Sequence, residues 1–446
     1  MSLVAGAGCS HESPTSIPLA QQCAKLCHDQ LVADGRLDHN ECQDPTNLSC
    51  VADTLHSRCG SQRALVEILL REFPLKAPRP NTGHNIAAAL LAEGAIQSVI
   101  TLNFDLAFTV ALSQLGLGQK VGIVDGQHEF GNQGERTLYY LHGNANTADY
   151  ESWTIRTAAL TSDWKDKWQH VVVNRVVSTP VVLFAGLGSP ADVLFESVTF
   201  LKSALPGRIS LFQVDPSEYS TSTFVNTLGV SQDNYIRLCW CEFMEKLSKR
   251  VLVAQVDSIQ LAAGNLLRLN NRLEENLAPI LTNVKESFSL LEIGALRAKW
   301  LLTDNPYLCD DQQTRDHMAD LLLVIAYISR ESNVTGIVRS DGVVEFVRDG
   351  RLLAAYLLAS GRGVTTSATI ESKASVSVKQ IKHRHCNIAG VIMSGAQDNG
   401  RASSASPDSI VVEVDPADIL FGKDRLKFIN AETIRSGEYK ISEIVP

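Results

Sequence analysis

The stretch Leu3-Val4-Ala5-Gly6-Ala7-Gly8-Cys9-Ser10 decides how the first half of the chain is read. Three apolar residues that suit the end of a strand run straight into a glycine turn. Glycines there let backbone amides approach a pyrophosphate, and the helical turn that follows adds its positive end. The three-glycine dinucleotide pattern is not met, since position 11 is His. A tight strand-to-helix turn with no ligand reads the same way. So little chain precedes this strand that a compact start and a gene start placed slightly late both fit.

Outward from that turn, strand and helix patterns alternate for about 250 residues. Short β-rich runs occur at 98–102, 137–141, 180–185, 208–214 and 235–238. Helical periodicity fills the gaps at 18–32, 62–73, 82–93 (opened by Asn81 or Thr82 as cap), 106–115, 164–177 and 191–204. Such alternation predicts a Rossmann-like parallel sheet with helices on both faces, and ligands in such sheets bind beyond the strand C-termini. The strand ends therefore hold the candidate site. Thr101-Leu102-Asn103-Phe104-Asp105 places an amide and a carboxylate there, although Asn103 as strand terminator and Asp105 as helix cap is the plain alternative. Tyr139-Tyr140-Leu141-His142-Gly143 ends a strand in histidine, the side chain suited to moving protons near neutrality. Gly186-Leu187-Gly188-Ser189 ends a third strand, and Asp215 ends a fourth, where an acid suits the two hydroxyls of a ribose.

Length and composition bound the rest. At 446 residues, a prior of about 150 residues per domain gives two or three domains. Hydrophobic residues are 45% and charged residues 20%, enough for a full core. Lys plus Arg number 40 against 49 Asp plus Glu, a formal charge of −9, which disfavours direct nucleic-acid or anionic-membrane binding by the whole chain. Apolar runs at 86–100 and 171–188 are interrupted by Glu93 and Arg175, and 318–329 is too short to cross a bilayer. With no secretory pattern at the start, the ten cysteines read as reduced thiols of a cytoplasmic protein. Six of them precede residue 60 at spacings too loose for a metal site, and read as buried apolar thiols.

The main boundary is placed near 250 and a second near 333. This gives an α/β domain over 1–249, a helical region over 250–332 and a small α+β region over 333–446. In the last, 368–379 and 410–414 read as strands and 398–409 as a loop. Glu371-Ser372-Lys373 with Asp349 upstream has the spacing of a nuclease metal site, but reads more simply as part of a two-faced strand.

The five strand-end motifs, in this order, resemble the sirtuin family. There a Gly-Ala-Gly-x-Ser turn is followed by Thr-x-Asn-x-Asp, His-Gly, a glycine-rich strand end and a polar residue on the adenosine ribose. The resemblance covers roughly residues 1–245. It implies NAD as substrate, with Gly6, Ala7, Gly8 and Ser10 cradling the pyrophosphate and Gly186, Gly188 and Ser189 binding the cofactor. It further implies that Asp105 lines the nicotinamide pocket and that Asp215 holds the adenosine ribose. Asn103 then holds a ribose hydroxyl or the water, and His142 is the general base. Three departures qualify it. No cysteine stands between His142 and Gly186, so the two Cys-x-x-Cys pairs of protein-deacylating sirtuins, and their zinc, are not expected there. The turn continues Cys9-Ser10-His11-Glu12 rather than into the usual arginine-containing stretch, and Asp215 replaces the usual Asn.

The zinc-less pattern with a large unrelated C-terminal region is similar to bacterial sirtuin-type proteins of phage defence. It implies an NAD glycohydrolase that acts as a defence effector. The long helical pattern from Glu242 to Trp300 offers apolar faces that suit assembly through the C-terminal region, as a homo-oligomer or with a second defence protein such as an ATPase; completing the core of one monomer is the plain alternative. A non-catalytic module sensing NAD or ADP-ribose, and an ADP-ribosyltransferase or deacylase, are the alternative readings.

Overall fold

The computed structural model describes residues 1–161, 167–188, 192–267, 273–361, 366–382, 388–395 and 426–446. The chain divides into two compact units, Met1–Lys249 and Arg250–Pro446.

The first unit is built on a seven-stranded, all-parallel sheet. Its strands are β1 (Ser2–Ala5), β2 (Ser98–Thr101), β3 (Gly122–Val124), β4 (Thr137–Tyr140), β5 (Val181–Ala185), β6 (Ser210–Val214) and β7 (Tyr235–Ile236). They lie in the order β3-β4-β2-β1-β5-β6-β7. Val4 of β1 pairs with Ile100 on one side and Phe184 on the other, so β1 is central and the strand order reverses about it. Every residue of β1 is buried, as expected of a strand covered on both faces. One covering layer is the helices Trp168–Val177 and Asp192–Ala204, whose Val173, Val176, Leu194 and Val198 pack with Val4, Ile100 and Phe184.

Local chemistry sets the helix starts. Asn81 caps the helix Thr82–Ala92 by accepting from His84 N at 3.1 Å. Asn47 does the same for Leu48–Cys59, which ends at Gly60 in the left-handed region. Neither Leu48–Cys59 nor the three-residue β3 was expected from sequence. The expected helix over 164–177 begins among residues outside the described set and is seen from Trp168.

The second unit contains the helices Glu274–Ser287, Leu290–Trp300 and Gln312–Ser332 together with a five-stranded sheet. Its strands are β8 (Thr335–Val338), β9 (Val343–Arg348), β10 (Arg351–Ser360), β11 (Gly390–Ser394) and β12 (Lys427–Asn430), in the order β12-β11-β10-β9-β8. The pairs β8–β9 and β9–β10 are antiparallel, while β10–β11 and β11–β12 are parallel.

The parallel step from β10 to β11 requires a crossover, and here the sequence reading is corrected. Residues 368–379, read as a strand, lie in the helix Ser367–Lys382. The alternation Ser375-Val376-Ser377-Val378 imitates period two. The buried stripe is Ile370, Ala374, Val378 and Ile381, spaced for a helix, while Val376 is 56% exposed. Glu371 and Lys373 consequently lie on a helix, and the strand-borne metal-site spacing falls away. The strand and loop read at 410–414 and 398–409 lie outside the described residues.

Candidate active site

The C-terminal edge of the first sheet gathers most of the strand-end motifs. The turn after β1 is locked to the end of β5: Gly6 N donates to Ala185 O and Gly8 N to Gly186 O, each at 2.9 Å. Gly186 has φ +64, and a Cβ there would stand 2.4 Å from Cys9 N; a Cβ on Gly8 would stand 2.7 Å from the Cα of Gly186. The glycines thus serve the close approach of two backbones, and the amides of Gly6 and Gly8 are engaged within the protein. Ala7 begins the short helix Ala7–His11.

Asn103, just past β2, crosses to this turn. Its Nδ2 donates to Gly6 O and to Ser10 Oγ, each at 3.1 Å, and its own N–H is held by Thr101 Oγ1 at 3.1 Å. With both amide hydrogens directed inward, Oδ1 is the acceptor that Asn103 offers to a ligand. Asp105 is buried and accepts from Ala107 N, the first amide of the helix Ala107–Gln114, at 3.0 Å; the N-cap position itself is Leu106, so Asp105 stands one residue before the cap expected of it. Burial pushes its carboxyl up, against the opposing pull of the Ala107 N–H bond.

His142 follows β4, the neighbour of β2. Its Nδ1 lies 3.1 Å from Leu102 O, which fixes the ring with Nδ1 as donor and Nε2 as the basic nitrogen. Burial lowers its pKa to about 4, with the Leu102 bond pulling weakly the other way. Gly143, at φ +81, turns the chain directly behind it. Phe104 stacks on Trp153 at 4.6 Å and lies 6.3 Å from the His142 ring, giving this end of the edge an aromatic wall.

Asp215 directly follows β6 and is fixed by Ser217 N donating to Oδ1 at 2.8 Å, while its own N–H donates to Ile236 O of β7 at 3.2 Å. Beside it the Tyr235 phenol is pushed up to about 12, first by burial and then by the Asp215 charge. Gly188 O accepts from Thr223 Oγ1 at 2.8 Å. Ser189 lies outside the described residues. Gly6, Gly8, Ser10, Asn103, Asp105 and Gly186 thus form one bonded group. His142 joins it through Leu102, and Asp215 stands two strands along the same edge from β1.

Three residues that the sequence reading left aside complete the arrangement. His84 is buried, with Nε2 3.5 Å from Ser10 Oγ and its ring edge-on to Phe108 at 4.7 Å. Burial lowers its pKa to about 3, so it is neutral and bonds to Ser10 as an uncharged partner. Asn81, recognised only as a cap, also donates from Nδ2 to Cys9 O at 2.8 Å. Glu12 accepts from Trp240 N at 2.6 Å and Cys241 N at 3.2 Å, capping the helix Trp240–Leu267. The available signal for His84 was its place three residues beyond the capping Asn81, which turns it toward the segment that Asn81 holds.

Comparison with known proteins gives a one-sided result. No family model matches the sequence, and no curated protein matches it. Solved structures do. A mutant Sir2 homologue in complex with ADP-ribose is similar at a TM-score of 0.33 and 15% identity, over 55% of this chain and 89% of that one. A Sir2–p53 peptide–NAD+ structure is similar at 0.33 and 15%, over 56% and 92%. A Sir2 homolog–NAD complex is similar at 0.28 and 16%, over 55% and 86%.

Among the described residues no group of three or more His, Cys, Asp and Glu could hold a metal ion, and no helix is long and apolar enough to cross a membrane.

Proposed function

We propose that residues 1–249 form an NAD glycohydrolase, releasing nicotinamide and ADP-ribose. The observation that carries this is the pairing of Asn103 and His142 at the ends of the adjacent strands β2 and β4, with the amide held inward by Gly6 and Ser10. The reaction breaks the bond between ribose C1′ and the nicotinamide nitrogen, and the bonding pair leaves with the ring. Water adds to C1′, and one proton is released. The transition state has oxocarbenium character, so the site must hold the ribose, orient the water and take up the proton.

Asn103 Oδ1 accepts from the water or from a ribose hydroxyl, and His142 Nε2 takes the proton directly or through that hydroxyl. Asp105 lines the nicotinamide side and Asp215 accepts from the adenosine ribose. Because the amides of Gly6 and Gly8 are engaged with the end of β5, the turn's part in the reading is to set the position of Ser10 and of the short helix that follows. Ser10 serves chiefly to hold Asn103. The absence of cysteine between His142 and Gly186 separates this reading from zinc-dependent protein deacylation.

The same proposal places the enzyme in bacterial anti-phage defence, in the cytoplasm, where destruction of free NAD demands restraint. Assembly through the C-terminal region supplies that restraint, either as a homo-oligomer or with a partner such as an ATPase. Leu261, 72% exposed, and Leu266 give the helix Trp240–Leu267 apolar surface in support.

Purified protein incubated with NAD, followed by chromatography, tests the activity. Equimolar nicotinamide and ADP-ribose are expected. Saturable NAD binding with no turnover makes the domain a sensing module, and transfer of ADP-ribose to protein makes it a transferase.

A further inference from the structure

The second unit carries a polar strand edge of its own. β10 and β11 run parallel and both end in Ser-Gly, with Ser360 directly partnered by Ser394. Both hydroxyls are held by one helix, Gln312–Ser332, from positions one turn apart. Ser360 Oγ lies 2.9 Å from His317 Nδ1. Ser394 Oγ donates to Asp320, whose other oxygen accepts from Arg435 Nη1 at 2.9 Å. Four elements, β10, β11 and the helices Gln312–Ser332 and Ala431–Ser436, thus send polar groups to the carboxyl ends of parallel strands, the edge at which open α/β sheets take ligands.

A cavity of about 300 Å³ opens beside Ser360, at the lower end of the range for small-molecule sites. Leu301, Leu302 and Ile370 form an apolar wall, and Lys373 and Asp304 bring opposite charges to the same cavity. Neither charge makes an ion pair or hydrogen bond among the described residues, so the two do not neutralise each other. An ammonium and a fixed hydroxyl lining one cavity suit a phosphate. A carboxylate suits vicinal ribose hydroxyls, and a flat apolar wall suits a base.

We propose that this cavity binds a nucleoside monophosphate, with the phosphate on Lys373 and Ser360, the ribose on Asp304 and the base against Leu301, Leu302 and Ile370. The site lies wholly within residues 250–446 and does not depend on what the first sheet does.

The test uses the full chain with AMP as probe, read by titration calorimetry and by hydrogen exchange. AMP is expected to protect peptides spanning 301–304 and 366–382. Lys373→Glu, a change at an exposed position, is expected to weaken binding roughly tenfold or more, the loss of a charge-assisted contact, while leaving nicotinamide release unchanged. Inorganic phosphate is expected to compete only weakly. Protection confined to peptides around 6–10 and 213–217 overturns the proposal, as does unchanged affinity in Lys373→Glu. Inorganic phosphate binding as tightly as AMP removes the nucleoside from it.

Discussion

The Nδ2 of Asn103 donates to the Oγ of Ser10 at 3.1 Å, across 93 positions of sequence. That bond ties the end of β2 to the turn after β1 and sets which end of the Asn103 amide faces a ligand. His84 closes the chain from behind by meeting Ser10 at 3.5 Å. The catalytic proposal reduces to this small buried polar group and the histidine one strand away.

Asn103→Ala removes the acceptor proposed to orient water and is expected to lower nicotinamide release by ~10²–10³. His142→Ala is expected to lower it by ~10²–10⁴. Both variants should stay folded, but each loses tertiary hydrogen bonds, Asn103 to Gly6 O and Ser10 Oγ and His142 to Leu102 O, so a lowered unfolding midpoint, corresponding to about 1–3 kcal/mol, is expected; turnover is compared at a temperature where both are folded. Near-parental turnover in His142→Ala shows that the proton goes elsewhere.

Gly186→Ala adds a methyl group 2.4 Å from Cys9 N at a residue with φ +64. Neither backbone can yield without disturbing the β1–β5 lock, so a loss of about 1–3 kcal/mol is expected. Urea denaturation measures it. A variant as stable as the parent means that the turn adjusts freely, and that the glycine serves a ligand rather than the fold.

Acid should weaken the fold through histidine. The pKa of His84 is lowered from 6.5 to about 3 and that of His142 to about 4. Between those values and 6.5 the unfolded chain binds protons that the folded chain refuses, so stability is complete above 6.5 and falls as pH drops toward 3. Asp105, with its carboxyl raised by burial, works in the opposite direction. His84→Phe isolates the larger histidine contribution: the drop in urea midpoint from pH 7 to pH 5 should shrink in that variant. For activity, the acidic limb of kcat/KM, which reports the free enzyme, should lie nearer 4 than 6.5. A limb at 6.5 would assign the base to a solvated group.

Chelators test the expectation that no zinc is needed. Prolonged treatment with phenanthroline should leave both the unfolding midpoint and nicotinamide release unchanged, and elemental analysis should find no stoichiometric zinc. A chelator-sensitive stoichiometric zinc redirects attention to the cysteines before residue 60.

Assembly is read most simply at Leu261. Leu261→Glu charges an exposed apolar position of the second unit, and is expected to shift full-length protein to a smaller species in light scattering, with a change in NAD turnover. A monomeric parent defeats the gating idea outright, as does an assembly indifferent to this change in both size and activity.

Much of the first unit is legible in its sequence because the decisive signals are local. Apolar runs such as Val99-Ile100-Thr101 and Val182-Leu183-Phe184-Ala185, separated by amphipathic helices, dictate parallel strands buried on both faces. A residue just past each run must then fall on the same edge, and Asn103, His142, Gly186 and Asp215 all do. Residues 367–382 show where local reading fails: alternating serine and valine satisfies period two by eye, and only packing against β10 and β11 selects the stripe of Ile370, Ala374, Val378 and Ile381. The tertiary structure alone decided that Gly6 and Gly8 give their amides to β5, that Asn103 turns its Oδ1 outward, and that His84 stands behind Ser10. Each of these is a contact between groups more than 70 positions apart, fixed by strand order and burial, and no sequence window contains both partners.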